Sequence, residues 1–98
     1  MVSLAAQEKD VLRIKCRTSR GMSADLEVLD ISIGGAMVEA RGWTASPGDR
    51  VLVTLPGLSA QPSELVWLED GRAGIAFEQP LHETVFDKFD AMITRHSG

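Results

Sequence analysis

The 98-residue chain has no tyrosine, one cysteine and two histidines, and each shortage excludes something. A single thiol, Cys16, cannot close an internal disulfide, which fits a reducing compartment. His82 lies at a segment boundary and His96 in the tail, and there is no HExxH, no CxxC and no P-loop. Those are the spacings that bring metal ligands, a redox pair or a phosphate cradle together. The expectation is a protein that is not an enzyme, with no catalytic residues, no metal site and no cofactor. Cys16 alternates with apolar positions, where a free cysteine is a packed thiol rather than a nucleophile. No stretch approaches the ~20 apolar residues of a membrane span. The first ten residues lack the basic start and apolar run of a secretory signal, so the expected location is cytoplasmic, without membrane insertion.

A basic field is also missing: the formal net charge is −4. Proteins that grip DNA or RNA carry a basic face, so neither is expected as a partner, and any nucleotide ligand should be small and held locally. The aromatics are two tryptophans and three phenylalanines. Trp43 reads as an exposed loop residue and Trp67 as a core residue of an apolar strand. One loop tryptophan does not supply the stacking row of a single-strand binder.

What is present is ordinary globular composition, 44% hydrophobic and 24% charged, in a length that supports one small domain. Residues 1–10 have no clear period and read as a flexible arm before a domain over 11–98. From Val11 to Thr18, Leu12, Ile14, Cys16 and Thr18 alternate with Arg13, Lys15 and Arg17, the pattern of a half-buried strand with a basic outer face. Arg20-Gly21 reads as a turn. Residues 24–31 read as a second strand, with Leu26 and Val28 on one face. Ser32-Ile33-Gly34-Gly35 turns the chain. Further strands read over 36–40, 51–55, 64–68 and 73–77, with Pro62 near the start of the fifth. Asp70-Gly71 is the strongest short hairpin signal. After Pro80, Val85, Phe86, Phe89, Met92 and Ile93 fall at helical spacing, with Thr84 and Asp87 resembling a capping box. The fold class expected is mainly β, a six-stranded antiparallel β-barrel with a C-terminal α-helix laid on the sheet.

Two constellations carry candidate chemistry. Arg13, Lys15 and Arg17 form either a solvated strand face or an anion site, since guanidinium forks bind phosphate and the O6/N7 edge of guanine. Asp30-x-Ser32-x-x-Gly35 is either a local turn or a guanine cradle. A carboxylate accepts from the N1–H and N2–H edge, a hydroxyl donates or accepts, and glycine admits a base close to the backbone or supplies a positive φ.

Leu29-Asp30-Ile31-Ser32-Ile33-Gly34-Gly35-Ala36-Met37-Val38 resembles the D/N-x-S-x-x-G strand–turn–strand of the PilZ domain family. The resemblance continues through Pro47-Gly48-Asp49-Arg50-Val51-Leu52-Val53, Val66-Trp67, Gly74-Ile75-Ala76-Phe77 and the terminal helix, over about residues 11–93. It implies a six-stranded barrel that binds cyclic di-GMP, often as an intercalated pair, and relays it to a protein partner. Homodimers through sheet edges or the helix are compatible with that fold. The implied ligand residues are Asp30, Ser32 and Gly35, with Arg13 and Arg17 matching the family's R-x-x-x-R spacing. That arginine motif normally sits on an arm before the first strand. If the first strand already begins near Val11, the arm falls on Gln7–Val11, which holds Lys9 and no arginine; if it begins later, the arm is residues 9–17 and keeps both arginines. The alternative is a PilZ adaptor that acts through protein contact without cyclic di-GMP.

Overall fold

The computed structural model describes residues 11–97; the arm expected over residues 1–10 lies outside the described residues. Six strands and one helix follow in order: β1 Arg13–Thr18, β2 Ser23–Ser32, β3 Gly35–Glu39, β4 Arg50–Thr54, β5 Gln61–Glu69, β6 Arg72–Phe77 and α1 Glu83–Ser97. The strands close into a barrel in the order β1-β2-β3-β6-β5-β4, with every neighbouring pair antiparallel. Closure leaves no unpaired sheet edge to template aggregation.

The period-2 pattern of β1 becomes burial directly. Ile14, Cys16 and Thr18 face the interior, while Arg13, Lys15 and Arg17 face solvent. Val38, Val51, Val53, Leu65 and Ile75 meet them inside. Asp70 and Gly71 both adopt positive φ, 55° and 76°. That is the turn whose twist matches two antiparallel strands, and it fixes β5 against β6. Pro62 lies inside β5 rather than before it. It has no N–H to donate, and its carbonyl accepts from Glu78 N at 2.9 Å, so the strand tolerates it.

Two β-bulges break the simple alternation. In β2 the register shifts between Val28, opposite Val38, and Asp30, opposite Met37. Leu29 is the extra residue. Leu26 and Val28 point inward, and after the bulge Ile31 points inward while Asp30 and Ser32 point out. In β5 the shift lies between Leu65, opposite Ile75, and Trp67, opposite Gly74, with Val66 extra. Ser63 and Leu65 point inward, and Trp67 then turns outward. The expectation of a core Trp67 is therefore corrected: it is 38% exposed. The expectation for Trp43 is corrected in the opposite sense. It is 9% exposed and belongs to the core, and its indole nitrogen is buried without a hydrogen-bond partner.

The helix begins at Glu83, and Phe86 N donates to the His82 carbonyl at 2.9 Å. Thr84 is thus the second helical residue and not a cap. Phe89 is buried, with Val85, Phe86, Met92 and Ile93 partly buried around the same core, and the helix packs on β2. Leu81 N donates to Ile33 O at 2.8 Å, fastening the helix lead to the β2–β3 turn. No helix among the described residues is long and apolar enough to cross a membrane.

The β2–β3 turn needs glycine for a reason other than φ. Neither Gly34 nor Gly35 has a positive φ, which corrects that expectation. A Cβ on Gly35 would strike the Ile75 carbonyl of β6, whereas one on Gly34 would meet nothing. Gly35→Ala should therefore destabilise the barrel by about 1–3 kcal/mol, the usual range for overpacking. Gly34→Ala should leave the urea midpoint within experimental error; equal effects at the two positions would contradict the close approach.

Candidate functional site

The two bulges place unlike side chains on one outer surface. Across β2, β3, β6 and β5, Asp30 stands opposite Met37, Met37 opposite Gly74, and Gly74 opposite Trp67. The next outward rung runs Ser32, Gly35, Ala76 and Glu64. Between them lies an open groove of roughly 290 Å³ whose walls include Asp30, Ser32, Gly34, Met37, Trp67 and Gly74.

Each wall has a distinct chemistry. Asp30 Oδ1 accepts from the Ile31 N–H at 3.0 Å, leaving a carboxylate with further lone pairs to accept from a ligand. The Ser32 hydroxyl donates to Gly35 O at 3.3 Å and keeps its own lone pairs. The indole of Trp67 rests on Gly74, where a Cβ would collide with the ring. The ring lies over a residue with no side chain and is partly exposed. A base stacked on such a ring gains about 1–3 kcal/mol. The groove therefore offers a carboxylate and hydroxyl for the polar edge of a planar base, and an aromatic plate for its face.

Asp30, Ser32 and Gly35 are brought together, as expected. The basic row is not brought with them as a unit. Arg13 pairs with Glu27, Lys15 with Asp25 and Arg17 with Ser23. Measured along β2, Arg13's partner is three residues from Asp30 and Arg17's is seven. At about 3.3 Å per residue these separations are roughly 10 Å and 23 Å. From the first separation an arginine side chain can approach a ligand held at Asp30, though it does not reach Asp30 itself; from the second it can do neither. Both arginines lie in the β1 ladder, not before it, and Arg17 lines a different groove, between β1 and β4.

Trp67 is the groove residue that period-2 reading missed, because Ser63 and Leu65 carry the inward phase up to it. A signal did exist. Asp70-Gly71 fixes the hairpin, and counting back from it sets Trp67 opposite Gly74. A large ring facing a residue with no side chain marks a ring laid flat on the sheet.

Cys16 is fully buried. Burial, and secondarily the Asp25 carboxylate, pushes its thiol up to about 12. Among the described residues no group of three or more histidine, cysteine, aspartate or glutamate side chains could hold a metal ion.

A closed six-stranded antiparallel barrel with a C-terminal helix and an outer groove beside its D-x-S-x-x-G turn is the architecture to compare with known domains. The family model for the PilZ domain matches residues 9–95, and the chain belongs to the PilZ domain family. Among solved structures, the crystal structure of the PilZ domain of CeSA from a cellulose-synthesizing bacterium is similar. Its TM-score is 0.58 at 20% identity, over 87% of this chain and 87% of that one, a likeness of fold. Among curated proteins, nothing matches the chain.

The burial of Cys16 has a pH signature. The folded thiol stays protonated up to about 12, while the unfolded one ionises near its ordinary value of 9.0. Between these values the native state holds more protons, so stability falls as pH rises and is fully retained below. The native protein should fail to react with a thiol reagent at about pH 8. Its urea midpoint should drop more steeply above about pH 9 than that of Cys16→Ala. Rapid native-state labelling would contradict the burial.

Proposed function

We propose that this barrel is a cyclic di-GMP receptor that takes a guanine of the ligand into the groove over β2, β3, β6 and β5, and passes the signal to a protein partner. The observation that carries the reading is the outward rung Asp30–Met37–Gly74–Trp67 beside Ser32. Membership of a family that binds this ligand supports it. Asp30 accepts from the guanine N1–H and N2–H, Ser32 bonds the base or a phosphate oxygen, and Gly35 keeps the backbone open. Trp67 stacks on the ring, and Arg13 reaches towards a phosphate. The protein acts by binding rather than catalysis, in the cytoplasm, with no metal or cofactor of its own. The ligand sits as one molecule or as an intercalated pair. Homodimer formation is compatible with the proposal, which does not require it.

A second reading is favoured by one specific observation: Arg17 lies in the β1 ladder about 23 Å along the sheet from Asp30. A domain without a paired arginine clamp can act as an adaptor, keeping the barrel and contacting a partner without cyclic di-GMP.

Titration calorimetry separates the two. The receptor reading expects heat of binding for the wild type, with the molar ratio reporting one ligand or two. Trp67→Ala should cost about 1–3 kcal/mol, roughly 5- to 150-fold in affinity. Asp30→Ala should cost about 1.5–3 kcal/mol, the range for hydrogen bonds to a charged group. Arg13→Ala should weaken binding, and Arg17→Ala should change it by less than about threefold. Absence of heat at ligand well above micromolar levels would overturn the receptor reading. A partner recovered equally with and without cyclic di-GMP would then establish the adaptor.

A further inference from the structure

We propose that Gly74 is a positioning residue of the outer groove: because it carries no side chain, the Trp67 indole lies flat on the sheet as the plate on which a planar base stacks. The inference rests on the receptor reading above. It adds to that reading a residue outside both the D-x-S-x-x-G turn and the basic row.

Glycine is a poor choice for the interior of a strand, where it loses backbone entropy and packs nothing. Gly74 lies within β6 and is paired on both sides, with Met37 of β3 and Trp67 of β5. Its φ is not positive, so the backbone conformation does not require glycine. The requirement comes from space. A Cβ at this position would strike Nε1, Cε2 and Cδ1 of Trp67. Nε1 is bonded to the other two atoms, and all three belong to the five-membered ring. Crowding by one atom and both of its bonded neighbours marks a contact with the face of the ring. An approach along the N–H bond would meet Nε1 and leave the two carbons farther off.

Gly35 and Gly74 are both strand glycines without positive φ, and they differ in what stands over them. Over Gly35 is the Ile75 carbonyl, part of the barrel backbone, which cannot give way without moving β6. Over Gly74 is a side chain that is 38% exposed and can rotate away into solvent. A methyl group added at Gly35 therefore strains the fold, whereas one added at Gly74 displaces a ring. That ring shares the groove wall with Met37 and Asp30. A ring already held in one plane gives up less rotamer freedom when a base stacks on it. Gly74 thus acts on affinity through Trp67, by preorganisation.

The test is calorimetric titration of the full chain with cyclic di-GMP for the wild type, Gly74→Ala, Trp67→Ala and the double variant, beside urea unfolding and NMR spectra of the free proteins. In the free wild type the α-protons of Gly74 should be shifted upfield by the indole ring current, and Trp67→Ala should abolish that shift. Gly74→Ala should weaken binding by about fivefold or more, and by no more than Trp67→Ala does. Its urea midpoint should fall by less than that of Gly35→Ala. In the Trp67→Ala background the same glycine change should alter affinity by less than about twofold, because a residue that acts through the ring then has nothing to act on. Wild-type binding that Gly74→Ala leaves unchanged overturns this inference alone. So does an equal loss in both backgrounds, an unshifted pair of Gly74 α-protons, or a urea midpoint lowered as far as in Gly35→Ala. Absence of heat for the wild type overturns the receptor reading, and this inference with it.

Discussion

Everything on the outer groove depends on two extra residues in the sheet. Leu29 in β2 and Val66 in β5 each oppose no partner of their own. A bulge gives up a regular ladder position and sharpens the local twist, and here each one reverses the in–out phase of its strand. Were Leu29 paired regularly in the ladder instead of bulged, the inward phase of Leu26 and Val28 would carry on to Asp30, putting a carboxylate into an apolar interior at large desolvation cost. Were Val66 paired regularly instead of bulged, the inward phase of Ser63 and Leu65 would carry the bulky Trp67 into a core already closed by Leu65, Ile75 and Phe77. With both present, the core keeps its aliphatic lining, and a carboxylate and an indole stand on the same outer rung. The site is a product of strand phase, set by strands far apart in sequence and brought together by barrel closure.

The same ladder explains why the basic row of β1 is not one functional unit. Three cations at alternate positions look equivalent in the chain. Arg13 and Lys15 stand opposite Glu27 and Asp25 in the β1–β2 ladder. Arg17 has no acid opposite and belongs to the β1–β4 face. One row therefore divides between positions that face acids and one that faces none, and the division follows register rather than residue type.

Much of the fold was legible because its signals are local. The alternation in β1, the Asp70-Gly71 turn and the helical spacing of Val85, Phe86, Phe89, Met92 and Ile93 each need only a few neighbouring residues. Asp30, Ser32 and Gly35 were legible as a group because one tight turn holds them. What failed needed long-range information. Trp43 was read as a surface loop residue because its neighbours look like a loop, yet the Ala40–Trp43 turn carries it onto the core. Gly35 was legible as glycine but not for its cause, which is the Ile75 carbonyl of a strand some forty residues later. Trp67 was misplaced because a bulge has no strong local signature. Thr84 was misread as a cap because the chain enters the helix two residues earlier, through His82.

The central claim of the proposed function is that a guanine base lands on Trp67 in the groove that Asp30 and Ser32 also line. The chain has two tryptophans, one on the groove and one in the core, so its NMR spectrum should show two indole N–H signals with an internal control between them. On addition of cyclic di-GMP the Trp67 signal should move saturably through the ring current of the stacked base, while the Trp43 signal stays fixed. A titration in which neither signal moves, or in which only Trp43 responds, would contradict the account.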